Sequence, residues 1–243
     1  MPAVATLVVA GAGAGVGVTA VTAAVAALAA DRGARVAAVH TAQTGLPDGA
    51  PGELATLTRL CGVADVHELA RYPDALPPAA AARRSGRPPL DLVRAVDAVL
   101  RLVDRDLVLV QGCGGLLSRH DDDGLTLVDL ARTLRAPVLL VVRADAPDQA
   151  ALALEALAHR GLLLEGVVVG QWPGQPALAD VEGVEELERL CARPLLGALP
   201  EGAACLPRPA FLEQARAGLA LPLGGRWSRG ASGGRRPPGT LPR

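Results

Sequence analysis

The stretch Gly11 to Thr19, GAGAGVGVT, separates an apolar run, Val4 to Ala10, from an Ala/Val-rich segment with helical character, about Val18 to Ala30. A strand that turns through glycines into a helix N-terminus has the outline of a phosphate-binding loop, whose backbone N–H groups turn inward around phosphate oxygens. In the complete form G-x-x-x-x-G-K-[ST], the lysine reaches the β- and γ-phosphates and the hydroxyl ligates Mg²⁺. Thr19 holds the hydroxyl position, but Val18 stands where the lysine belongs. Valine offers neither charge nor donor, and the chain contains no lysine at all. Read without a ligand, the same letters make a Gly/Ala-rich turn between a strand and a helix.

The following segments keep the same alternation. Arg35 to Val39 follows a polar helix end, Asp31-Arg32-Gly33, and completes a β-α-β unit. Its C-terminal end delivers His40 to Gly45, and in an open parallel sheet ligands bind beyond such ends. Helical spacing resumes at Glu53 to Leu60. Asp91 to Asp104 places Leu92, Val93, Val96, Val99, Leu100 and Val103 on one face, which predicts a helix covering the core. Asp106 to Val110 reads as a buried strand running into the glycine turn Gln111 to Gly115. Pro137 to Val142 and Gly166 to Val169 read as strands, Gln149 to Arg160 and Glu182 to Cys191 as helices, and Pro194 to Leu199 as a last short strand. The apolar runs are too continuous for a half-exposed sheet. They predict an α/β fold with a doubly wound, mostly parallel sheet of about seven strands, P-loop NTPase-like.

At 243 residues the chain suits one large domain, assigned to 1–223, with a Gly/Arg/Ser/Pro-rich tail, 224–243, expected to be disordered. Only four residues are aromatic, so Ala, Val and Leu must pack the core. A net charge of −1 argues against a general nucleic-acid binder, and no apolar segment approaches the length of a membrane span. The first apolar run has no basic leader and is followed by turn glycines, which suits a buried strand rather than a signal peptide. Four cysteines without C-x-x-C spacing indicate neither zinc nor a disulfide framework, so a reducing, cytoplasmic setting is expected. His120 with Asp121, Asp122 and Asp123 has the letters of a metal cluster, but consecutive loop acids are usually solvated.

The order of the glycine loop, the Gln43-Thr44-Gly45 segment and VQGCGGLL at 110–117 resembles dethiobiotin synthetase. ARYPDALPPAAAARRSGRPPLDL at 70–92 and LEALAHRGLLLEGVVVGQWP at 154–173 resemble further segments of that family, and the likeness spans roughly residues 4 to 210. The resemblance implies a cytoplasmic homodimer, with the diamine site near the subunit interface. It also implies a reaction that joins CO₂ to 7,8-diaminopelargonate, phosphorylates the carbamate with ATP and Mg²⁺, and closes the ureido ring as phosphate leaves.

Carried over position by position, the resemblance assigns Gly11, Gly13, Ala14, Gly15, Val16, Gly17, Val18 and Thr19 to the nucleotide loop. It assigns Thr44, Gly114 and Gly115 to the substrate, and Thr19, Glu53 and Gln111 to the metal. His40 falls at a family lysine, Gln111 at a family glutamate, and Val18 at the loop lysine. A histidine can carry charge near pH 6.5 and an amide oxygen can still face a metal. Val18 has no such substitute chemistry. The residues therefore leave open a slow synthetase, an inactive relative with a partner or regulatory role, or a redundant copy without a selected role.

Overall fold

The computed structural model describes residues 5–228. The chain runs β1 (Ala5–Gly11), α1 (Val18–Asp31), β2 (Val36–His40), β3 (Gln43–Thr44), α2 (Glu53–Cys61), β4 (Val66–Glu68), β5 (Arg71–Tyr72), α3 (Pro78–Ser85) and α4 (Leu92–Leu100). It continues through β6 (Leu107–Gly115), α5 (Leu127–Leu134), β7 (Val138–Val142), α6 (Pro147–His159), β8 (Leu164–Trp172), α7 (Leu178–Cys191), β9 (Ala198–Pro200) and α8 (Arg208–Gly218).

Seven strands form one sheet in the order β4-β2-β6-β1-β7-β8-β9, and every paired neighbour is parallel. The expected seven-stranded doubly wound sheet is present. Alternate side chains of each strand feed two cores. Val8, Val110 and Leu140 pack with α4, α5, α6 and α7, whereas Val9, Leu109 and Val141 pack with α1, α2 and α8. With few aromatics available, α1 achieves close approach with alanines, and its residues 20–29 are all buried. Gln43–Thr44 and Arg71–Tyr72 form a separate two-stranded parallel ribbon beside α3.

Sequence and structure differ at several elements. Gln111 to Gly115 continues β6 instead of leaving it as a turn, with Gly115 registered against Gly11 after a shift in the pairing. The helix expected over 91–104 ends at Leu100, and only Ala95 and Val99 of it are buried. The buried face centres on Ala95 and Val99, rotated away from the expected one, so Val93 and Leu100 stand 70% and 56% exposed, and Val103, past the helix end, 58%. The last strand begins at Ala198 rather than Pro194. Residues 224–228 fold back, with the Trp227 and Gly225 N–H groups donating to the carbonyls of Leu219 and Ala220. The expected tail boundary at 223 thus falls inside a packed segment, and 229–243 lie outside the described residues.

Candidate functional site

A cleft of about 660 Å³ opens beyond the carboxyl ends of β6, β8 and β9, over the loop after β1. Gly13, Ala14, Gly15, Gly17, Val18 and Thr19 line it. Gly11 and Val16, expected as part of the nucleotide loop, do not. A Cβ on Gly11 would lie 2.6 Å from the Gly13 carbonyl oxygen, and the Val16 side chain is buried in the α1-side core. Gly17 immediately precedes α1 at φ 98°, and a Cβ there would lie 2.6 Å from the Gly170 oxygen on β8. The loop therefore rests backbone against backbone, with α1's first N–H groups at the cleft floor.

Beside this floor the structure brings together four sequence-selected residues from four elements. Glu53 Oε2, in the first turn of α2, accepts hydrogen bonds from Thr19 Oγ1 of α1 at 2.7 Å and from Gln111 Nε2 of β6 at 2.9 Å. His40 Nε2, at the end of β2, lies 3.6 Å from the same oxygen. Among the described residues neither ring nitrogen of His40 has a hydrogen-bond partner, nor does the buried Gln111 Oε1. The substrate-assigned Thr44, Gly114 and Gly115 line the cleft with Ser118, whose hydroxyl accepts the Gly115 N–H at 3.0 Å. Gly114 has φ 82°, and a Cβ there would lie 2.5 Å from that hydroxyl. Cys113 Sγ sits 3.6 Å from Thr44 Oγ1, and burial pushes its thiol pKa up, away from a nucleophilic thiolate.

The expectation that His40 could supply positive charge is corrected. The ring is fully buried, and desolvation lowers its pKa despite the opposing pull of Glu53 and Glu68, so it is neutral at pH 7. No arginine lines the cleft among the described residues, and Glu53 is the single charged side chain in its wall. The other acidic loop is structural. Asp121 accepts the Leu125 N–H at 2.7 Å, Asp122 pairs with Arg83, and His120 lies 2.7 Å from Thr41 Oγ1. Among the described residues no group of three His, Cys, Asp or Glu is placed to hold a metal.

The donor set does suit Mg²⁺. A hydroxyl, a carboxylate and an amide whose oxygen is buried without a partner are hard oxygen ligands, and Mg²⁺ is commonly held by one or two carboxylates plus phosphate oxygens. The glycine floor likewise suits phosphate, but its side-chain cation is missing.

Sequence reasoning missed Gln43. Its Oε1 accepts the Glu53 N–H at 2.8 Å and its Nε2 donates to the Thr44 carbonyl at 3.0 Å, so one buried amide joins α2's start to the Thr44 strand. Arg71 holds the intervening loop through the carbonyls of Pro47 and Ala50. Gln149, in the first turn of α6, places its Oε1 3.1 Å from where a Gly13 Cβ would stand. Gln43 and Arg71 lie within the Gln43-Thr44-Gly45 and 70–92 segments that carry the family resemblance, but no local letter pattern encodes the contacts that these two residues and Gln149 make.

A parallel sheet wound on both faces, whose central strand turns through glycines into a helix N-terminus under the cleft, defines a P-loop-type α/β protein. The MinD cell division protein of Aquifex aeolicus shares this fold, with TM-score 0.50 at 15% identity over 87% of this chain and 95% of that one. MinD in its complex with MinC, from the same organism, gives TM-score 0.50 at 17% identity over 81% of each chain. Residues 5–207 match the family model described as an AAA domain. ATP-dependent dethiobiotin synthetase BioD of Frankia casuarinae is 57% identical over 90% of this chain and 93% of its own length. The corresponding protein of Saccharopolyspora erythraea is 52% identical over 92% and 99%, and that of Streptomyces coelicolor 46% over 96% and 99%. The chain belongs to the dethiobiotin synthetase family.

Proposed function

We propose that this protein is an ATP- and Mg²⁺-dependent dethiobiotin synthetase that carboxylates 7,8-diaminopelargonate with CO₂, working slowly because its site is short of charge. The observation that carries the reading is the meeting of Thr19, Glu53 and Gln111 beside a glycine floor, in a chain 57% identical to a named synthetase. Thr19, Glu53 and Gln111 would hold Mg²⁺, which when bound supplies charge neutralisation to the phosphates. The loop amides at α1's N-terminus orient those phosphates. Thr44 and the Gly114–Gly115 edge form the wall assigned to the diamine. Its partners are these small molecules and a second copy of the chain, not nucleic acid or membrane; the setting is cytoplasmic. Among the described residues no helix is long and apolar enough to cross a membrane.

The cost follows from what the wall lacks. Removing one preorganised donor costs about 10²–10³ in rate, and Val18 and the neutral His40 replace two cations. The same observation favours a second reading, an inactive relative that keeps the fold and weak nucleotide binding. Product formation separates them: purified protein is given diaminopelargonate, bicarbonate, Mg²⁺ and ATP, and dethiobiotin is detected by mass. The first reading expects product that disappears when ATP is omitted; folded protein making none supports the second. Combining Val18→Lys, His40→Lys and Gln111→Glu is expected to raise turnover by orders of magnitude, and no gain in a folded variant would count against the site assignment.

A further inference from the structure

The cleft's charge is the reverse of what a triphosphate needs. Glu53 is the single charged side chain lining it among the described residues, and its two hydrogen-bond partners, the Thr19 hydroxyl and the Gln111 amide, are both uncharged. Val18 lines the floor where a cation would meet the phosphates. His40 lies behind Glu53, fully buried and outside the lining. What remains for an anion is the partial positive charge of α1's N-terminus, roughly half an elementary charge that fades within a turn. A free triphosphate brought beside an uncompensated carboxylate in a confined, partly apolar cleft is repelled more strongly than in water.

We propose that this cleft admits a nucleoside triphosphate only together with a divalent cation, the cation at Glu53 and Thr19 taking over the electrostatic role of the missing lysine. The proposal rests on the synthetase reading and adds the regulation of its nucleotide site. Linkage makes the dependence mutual: the metal raises nucleotide affinity by the same factor as the nucleotide raises metal affinity. A loop that kept its lysine would retain a cation for the phosphates when the metal is withdrawn. Here nothing in the wall does so.

The test is equilibrium binding of ATP to the full chain by calorimetry, in saturating Mg²⁺ and in EDTA, without the other substrates. Wild-type affinity is expected to fall about 100-fold or more in EDTA. Val18→Lys is expected to bind about 10- to 100-fold more tightly than wild type in EDTA, the gain of one charged hydrogen bond. Glu53→Gln should change sign between buffers, binding more weakly than wild type in Mg²⁺ and more tightly in EDTA. A merely structural loss would weaken both. Equal wild-type affinity in the two buffers, or no sign change at Glu53→Gln, overturns the metal linkage and leaves the synthetase reading standing. Absence of binding in either buffer by both wild type and Val18→Lys, with native circular dichroism, overturns both.

Discussion

Two histidines in this molecule sit where a proton is hard to add. His40 ends β2 opposite Gln111 of β6, its imidazole stopping 3.6 Å from Glu53 inside the protein. His120 is buried beneath Thr41, whose hydroxyl lies 2.7 Å from Nε2, while Nδ1 lies 3.1 Å from the Ser118 carbonyl. The Nδ1–H tautomer of neutral His120 satisfies both contacts. Desolvation is the largest influence on each ring and lowers both pKa values below 6.5. Well above pH 6.5 both rings are neutral in the folded and unfolded chain, so neither makes stability depend on pH there. Below it the unfolded chain takes up protons that the folded chain refuses, and stability falls by up to about 1.4 kcal/mol per pH unit for each ring. Denaturant midpoints near pH 7.5 and pH 5.5 are therefore expected to differ, lower at the acid value, with His120→Gln narrowing the gap. A midpoint equally insensitive to pH in wild type and variant would mean that these rings reach solvent.

The elements around the cleft differ in how openly the sequence declares them. β1, the glycine loop and α1 are contiguous, so one reading of period and glycines found all three, and Thr19 came with them. Spacing places Glu53 at the start of a helix, its assignment to the metal comes from the family resemblance, and its meeting with His40 and Gln111 depends on β2, β6 and α2 converging, which no local pattern encodes. α3 is weakly declared because alanine and proline carry little periodicity, whereas α5 has helical spacing at Leu127, Val128, Leu130 and Ala131 and a Thr126–Asp129 capping box, signals that are legible in the sequence. Gln43 is the clearest case: α2 begins at Gly52–Glu53 without a local side-chain cap, and the acceptor for its first N–H is ten residues upstream. Gln43→Ala therefore uncaps α2 from a distance and loosens the Glu53 carboxylate. It should lower stability by about 1 kcal/mol, as loss of a local cap does, and weaken Mg²⁺-dependent ATP binding; unchanged melting and unchanged affinity would show that water replaces the amide without loss.

At the scale of the whole molecule, α4 carries an apolar stripe that no described residue covers. Val93 and Leu100 on the helix and Val103 just beyond it are mostly exposed, and a groove of about 700 Å³ beside them is lined by Asp91, Arg94, Asp97 and Arg101 among others. The charges are self-complementary. If two copies pack the exposed face of α4 antiparallel about a two-fold axis level with position 99 along the helix, Asp97 of each faces Arg101 of the other across the apolar stripe, the isologous arrangement a closed dimer requires. Among the described residues neither Asp97 nor Arg101 has an ion-pair partner. α4 packs on α5, which follows the Gly114–Ser118 wall of the cleft, so this two-fold would tie the subunit contact to the assigned diamine end. α4 itself does not line the cleft, which makes assembly and nucleotide binding separable. Light scattering on the full chain is expected to give twice the 24.7 kDa chain mass, and Leu100→Glu, which sets two carboxylates into the stripe, should return it to one. ATP binding in Mg²⁺ should survive the substitution. A wild-type monomer, or a Leu100→Glu dimer, would move the subunit contact elsewhere on the surface.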